Sequence, residues 1–178
     1  NTFDDPTMRI SAPTALPTDD ELYALSSEVG ARLKAEHLSL VTAESCTGGW
    51  IAKAITDVPG CSAWFECGIA AYSYEAKQAL LGVRPEILHK QGAVSEETAL
   101  EMVSGALIHA GAAVAVAVTG IAGPSGGTPE KPVGTVWLAW KRRGGYPVAE
   151  LHQFDGDRDA IRRQTVDVAL RGLLRLID

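Results

Sequence analysis

A chain of 178 residues is the size of one globular domain, with room for a core that needs no disulfide or metal staples. Its residues are 46% hydrophobic and 21% charged, the net charge is −6 and no Lys/Arg-rich run occurs, which excludes a nucleic-acid partner held through a basic patch. No apolar run approaches the roughly 20 residues of a membrane span, and the first residues are polar and acidic, unlike a signal peptide.

In chain order, residues 1–17 read as a flexible tail, with Pro6, Pro13 and Pro17 among small polar residues and no periodicity. A single domain is expected over 18–178. Thr18-Asp19-Asp20-Glu21 forms a capping box. Leu22, Leu25, Val29 and Leu33 then recur at helical spacing, predicting a helix over 19–36. The apolar run 38–43 predicts a strand. A turn over Thr42-Ala43-Glu44-Ser45-Cys46-Thr47-Gly48-Gly49 leads into a helix from Trp50 to Thr56, which Asp57-Val58-Pro59-Gly60 breaks. Phe65 to Tyr72 reads as a second, buried strand. Ser73 opens a short helix ending near Gly82, and Pro85 to Gln91 adds a helical turn or two. Ser95-Glu96-Glu97 starts a strong helix with Ala99, Met102, Val103, Ala106 and Leu107 on one face.

Ala112 to Val118 is a continuous small and β-branched run, the pattern of a central strand covered on both faces. Residues 120–134 form a long Gly/Pro-rich loop, a kind that is usually functional or disordered in compact domains. Residues 135–154 read as a β-hairpin. Asp157 caps a last helix to about Ile177, with Ile161, Val168 and Leu173 buried. The alternation predicts a three-layer α/β/α fold, with a mainly parallel central sheet and an antiparallel hairpin. In such sheets ligands bind at the carboxyl ends of the strands. Ser45, Tyr72 and Thr119 all fall at predicted strand ends, so adjacent strands would bring them to one crevice.

A serine beside the amides of Thr47, Gly48 and Gly49 suits acyl transfer, because nucleophile and oxyanion donors sit together. A plain helix-capping serine is the competing reading. The serine needs a base. His37, His89, His109 and His152 are scattered, so a Ser-His-Asp triad is poorly supported, and no metal-type spacing occurs. Lys77, five residues after Tyr72, can serve if burial lowers its pKa, with Tyr72 relaying the proton or orienting the amine. Cys46 is a rival nucleophile, since a thiol at a helix N-terminus is acidified. Cys61 and Cys67 read as core. The odd, unpaired cysteine count fits a reducing cytoplasm. Loop amides over 120–134 and Lys131 can cradle phosphate, although no P-loop pattern is present. Arg158 either recognises phosphate or carboxylate, or pairs with Asp155 or Asp159.

Six stretches together resemble one family. They are Thr42 to Gly49, Tyr72 to Lys77, Gly92-Ala93-Val94-Ser95, Thr119 to Pro124, Lys131 to Val136, and Phe154 to Arg158. In that order and spacing they resemble the CinA carboxy-terminal domain, the bacterial nicotinamide-nucleotide amidohydrolase family, over about residues 20–177. The chain looks like its stand-alone form. The resemblance implies deamidation of nicotinamide mononucleotide to nicotinic acid mononucleotide and ammonia in pyridine nucleotide recycling, without cofactor or metal. It implies Ser45 as nucleophile, with Tyr72 and Lys77 as its catalytic partners. It places Thr119, Gly120, Gly123 and Arg158 on the substrate side. A catalytically silent nucleotide-sensing or partner-binding module is the alternative, and a cysteine amidase using Cys46 is a second. A homo-oligomer is expected, with a dimer through the hairpin favoured.

Overall fold

Valine and alanine alternate along the centre of the sheet, and that alternation sets the layers. The computed structural model describes residues 8–9 and 15–178. Its elements are β1 (Met8–Arg9), α1 (Asp19–Ala35), β2 (Leu40–Glu44), α2 (Trp50–Thr56), β3 (Phe65–Ala70), α3 (Tyr74–Leu81), α4 (Pro85–Gln91), α5 (Glu96–Ala110), β4 (Val114–Gly120), β5 (Thr135–Arg142), β6 (Val148–Gln153) and α6 (Arg158–Ile177). The strands form one sheet in the order β1-β6-β5-β4-β2-β3. β2 pairs in parallel with both β3 and β4, whereas β4–β5 and β5–β6 are antiparallel.

β4 is buried along almost its whole length. Val114, Val116 and Val118 point into one core with Val136, Leu138 and Trp140, against α1, α2 and α6. Ala115, Ala117 and Ala139 point the other way, into a core with Met102, Val103 and Ala106 of α5. Small residues on that face let α5 lie close to the sheet. Gly105 of α5 extends this economy to α3, because a Cβ there would meet the Leu81 carbonyl oxygen. The three-layer α/β/α architecture expected from sequence is therefore the one adopted.

Helices start where side chains satisfy their first amides. Thr18 completes a capping box with Glu21 on α1, and Ser73, Ser95 and Asp157 accept from Ala76, Thr98 and Ala160 on α3, α5 and α6.

Three expectations need correction. β3 is an edge strand, alternately half-buried and exposed, because it pairs only with β2; it ends at Ala70, before Tyr72. Cys61, just before β3, and Cys67, within it, are half-buried against the two cores rather than inside them. Val168 is also half-buried, on the flank of α6. Within the expected tail, Met8 and Arg9 pair in parallel with Leu151 and His152 of β6, a two-residue edge strand too short to leave a period in the sequence. The rest of that expected flexible tail, residues 1–7 and 10–14, lies outside the described residues.

Candidate active site

The turn from β2 to α2 is built around glycines and one buried acid. The Ser45 amide donates to the Val118 carbonyl at 3.1 Å, so the serine is pinned one residue past the end of β2 beside β4. Gly48 and Gly49 have φ of 61° and 103°, the left-handed region that disfavours other residues. Gly49 is the N-cap of α2 and has no side chain to satisfy its first amides. Glu44 does so from the last position of β2. Its carboxylate accepts from the Ile51 amide at 2.8 Å, the Ala52 amide at 3.1 Å and the Thr47 hydroxyl at 2.7 Å. Burial raises the pKa of Glu44, and those hydrogen bonds, with one from Gly49, oppose the rise.

Lys77 lies in the first half of α3 and is 1% exposed. Its Nζ is 2.9 Å from Ser45 Oγ, 3.0 Å from the Ala71 carbonyl and 2.8 Å from the Tyr72 carbonyl. A neutral amine has two N–H donors and one lone pair. The two carbonyls take both donors and leave the lone pair for the Ser45 hydroxyl. Burial pushes Lys77 down to about 8. The amine is therefore held in the geometry and near the protonation state of a general base.

The remaining residues separate into rim and support. Tyr72 reaches Lys77 through its carbonyl, while its side chain is 63% exposed and its hydroxyl accepts from Arg158 at 3.2 Å. Lys77 thus contacts Ser45 directly, without the phenol between them. Arg158 also donates to the Gly123 carbonyl at 2.7 Å, tying the 120–134 loop to Tyr72. Asp157 caps α6 and Asp159 pairs with Arg163, so among the described residues Arg158 has no carboxylate partner. Thr119 is 1% exposed and donates its hydroxyl proton to the Ala93 carbonyl at 2.8 Å. That proton is spent on holding residues 92–95 over the strand ends. Gly120 is required by packing, since a Cβ there would meet Val136 and the Thr135 carbonyl. Lys131 donates to the Gln91 carbonyl at 2.8 Å.

The amides expected to hold an oxyanion are mostly occupied. Gly48 donates to the Ser45 carbonyl at 3.0 Å, and Gly49 faces Glu44. Those of Cys46 and Thr47 serve neither another backbone group nor Glu44. Cys46 is 4% exposed, and burial, with the Glu44 carboxylate second, pushes its thiol up to about 12. It is a small buried hydrophobe rather than an acidified nucleophile. None of the four histidines contacts Ser45; His152, for example, packs on Phe154 beside Glu150. No cluster of three or more His, Cys, Asp or Glu able to hold a metal occurs among the described residues, and none of their helices is long and apolar enough to cross a membrane.

Two residues escaped the sequence reading. Glu44 was inside the motif, and its signal was an acid ending a buried apolar strand. Arg162, four residues after Arg158 on the same face of α6, donates from Nε to the Cys46 carbonyl at 3.0 Å and from Nη2 to the Thr47 carbonyl at 3.1 Å.

A three-layer α/β protein with a buried Ser–Lys pair at the carboxyl ends of adjacent parallel strands is the class that fold and geometry define. The chain belongs to the family described as CinA C-terminal domain, which matches residues 22–177. It is 54% identical over 156 residues to the nicotinamide-nucleotide amidohydrolase PncC of Escherichia coli K12, covering 88% of this chain and 94% of that protein. Identity to the PncC protein of Pseudomonas putida is 56% over 158 residues, covering 88% and 98%. Among solved structures it is similar to the competence/damage inducible protein CihA from Agrobacterium tumefaciens, with a TM-score of 0.87 and 44% identity over 93% of this chain and all of that one.

Proposed function

We propose that this protein hydrolyses the carboxamide of nicotinamide mononucleotide, giving nicotinic acid mononucleotide and ammonia, with Ser45 as nucleophile and Lys77 as general base. The observation that carries the reading is the 2.9 Å contact between a buried Lys77 and Ser45 Oγ. The names and high identity of the PncC relatives supply the substrate.

The steps follow from that contact. Ser45 Oγ attacks the electron-poor carboxamide carbon while Lys77 takes its proton. The tetrahedral oxyanion collapses, the C–N bond breaks, and Lys77 returns the proton to the departing nitrogen, which leaves as ammonia. Lys77 then deprotonates a water that attacks the acyl-Ser45 ester, releasing the carboxylate product and restoring the serine. The Ala71 and Tyr72 carbonyls keep the amine aimed throughout. In this reading Arg158 and the 120–134 loop receive the nucleotide phosphate. Such a reaction serves pyridine nucleotide recycling and uses no metal or cofactor. A homodimer is part of the proposal, through apolar surface at the hairpin, where Tyr146 is 94% and Val148 56% exposed; light scattering tests it.

The test is ammonia release from nicotinamide mononucleotide by wild type, Ser45→Ala and Lys77→Met. Wild-type release with losses of at least about 10³-fold in both variants is expected. A folded wild type that releases no ammonia overturns the substrate; an active Ser45→Ala protein overturns the nucleophile.

A further inference from the structure

We infer that Arg162 is a positioning residue for the reaction, holding the Cys46–Thr47 peptide so that the Thr47 amide faces the developing oxyanion. The inference rests on the Ser45–Lys77 reading above. It starts from an unusual use of charge. Arg162 is half-buried on α6, with its guanidinium carbon 5.5 Å from the Trp50 ring centroid. Among the described residues it pairs with no acid. Its donors go instead to two successive neutral carbonyls, those of Cys46 and Thr47.

Peptide geometry turns those contacts into a direction. In a trans peptide the carbonyl of one residue and the amide of the next point opposite ways. The Cys46–Thr47 bond is trans. A guanidinium on the Cys46 carbonyl therefore fixes the Thr47 N–H pointing away from α6. α6 lies with α1 and α2 on one face of the sheet, whereas Lys77 is on α3, which packs with α5 on the other. Away from α6 is thus the side on which Ser45 meets Lys77.

The same amide makes no hydrogen bond to the backbone or to Glu44, in a residue with no exposed surface. Gly48 donates within the turn, Gly49 faces Glu44 and Trp50 donates to the Thr47 carbonyl, so of residues 47–50 Thr47 alone keeps an uncommitted N–H. Its side chain is held by Glu44 at 2.7 Å and its own carbonyl by Arg162 at 3.1 Å. The residue cannot rotate to bring another group forward. A cation on a peptide carbonyl also polarises that peptide and strengthens the N–H as a donor. The planar fork of arginine reaches both carbonyls at once, which a lysine cannot do.

The experiment compares wild type, Arg162→Lys and Arg162→Ala by three readouts: thermal melting, the kcat and KM of ammonia release, and the rate at which a fluorophosphonate labels Ser45. Labelling also passes through a charged oxygen beside Ser45 but does not depend on the substrate. Expected for Arg162→Ala is a kcat about 10²-fold lower, with KM within about threefold and labelling slowed in parallel. Arg162→Lys should recover part of the loss, and free guanidinium ion should partly rescue Arg162→Ala. The pH at which activity rises should not move, because Lys77 is untouched. An unchanged kcat and labelling rate in folded variants overturns the inference. So does a raised KM with unchanged kcat, which would make Arg162 a substrate contact. If wild type labels at Ser45 yet releases no ammonia, the substrate reading fails while the labelling rates still decide the role of Arg162. If wild type does neither, both fall. Should Arg162→Ala not fold, Arg162→Lys with its labelling rate decides alone.

Discussion

In an unfolded chain Lys77 would stay a cation up to about pH 10.5, and burial against two carbonyls and a hydroxyl lowers that limit to about 8. In the proposed reaction the free amine is the working form. Activity should therefore rise with pH through about 8 and level off above it, in a kcat/KM profile against pH. Lys77→Arg should be inactive across the range, because a guanidinium does not give up its proton. Stability carries the same signature. The folded value, about 8, lies below the ordinary lysine value of 10.5, so between these the unfolded chain binds more protons and stability rises with pH. Below about 8 the folded state carries the full cost of a buried cation. Lys77→Met removes that cost, so its stability advantage over wild type should be largest below pH 8 and shrink towards 10.5. Urea unfolding at several pH values measures it; a pH-independent difference would show that the amine is not desolvated in the native state. At Cys46 the opposite shift, to about 12, predicts that Cys46→Ala retains activity.

α2 has only seven residues and a glycine at its N-cap, so the cap position cannot satisfy its first amides. Glu44 supplies the missing acceptors from the preceding strand, fixing the angle between β2 and α2 and with it the turn that carries Ser45. Glu44→Gln keeps the shape but turns an NH2 towards N–H donors. Each orphaned buried donor costs about 1–3 kcal/mol, so a clear fall in melting temperature together with a lower kcat is expected. Normal stability with normal kcat would deny the carboxylate both roles. At the opposite layer, Gly105→Ala would drive a Cβ into the Leu81 backbone and should destabilise by about 1–3 kcal/mol in denaturant unfolding. What was legible at this scale follows the same division. Helices whose caps are local, at Thr18, Ser73, Ser95 and Asp157, could be read directly, because cap and helix are neighbours in sequence. The cap of α2 lies in a different element, and no local pattern reports it. β3 looked like a buried strand because composition records apolarity, not position in a sheet; only strand order makes it an edge.

The chain's parts meet because β2 lies between β4 and β3, all three parallel, and their carboxyl ends open on one side. That meeting was foreseeable from strand ends alone for Ser45, Tyr72 and Thr119. Which atom of each residue faces inward was not. Tyr72 offers its carbonyl to Lys77 and its hydroxyl to Arg158, and Thr119 spends its proton on Ala93, because packing between elements far apart in sequence sets side-chain direction. Arg158 shows what the assembled molecule adds. Sequence left it balanced between an acid partner and a ligand. In the fold it is exposed, joins Tyr72 to the Gly123 carbonyl, and has no carboxylate of its own among the described residues. A cation held only by neutral groups at the mouth of the crevice suits the single phosphate of a mononucleotide. Charge-assisted hydrogen bonds of this kind contribute about 1.5–3 kcal/mol, or roughly 10- to 100-fold in affinity. Arg158→Ala should therefore raise KM for nicotinamide mononucleotide by that factor while leaving kcat nearly unchanged. For the dephosphorylated nucleoside, wild type and variant should give similar kcat/KM values. If instead both substrates suffer equally, Arg158 acts by shaping the loop through Gly123, and the phosphate must be held elsewhere.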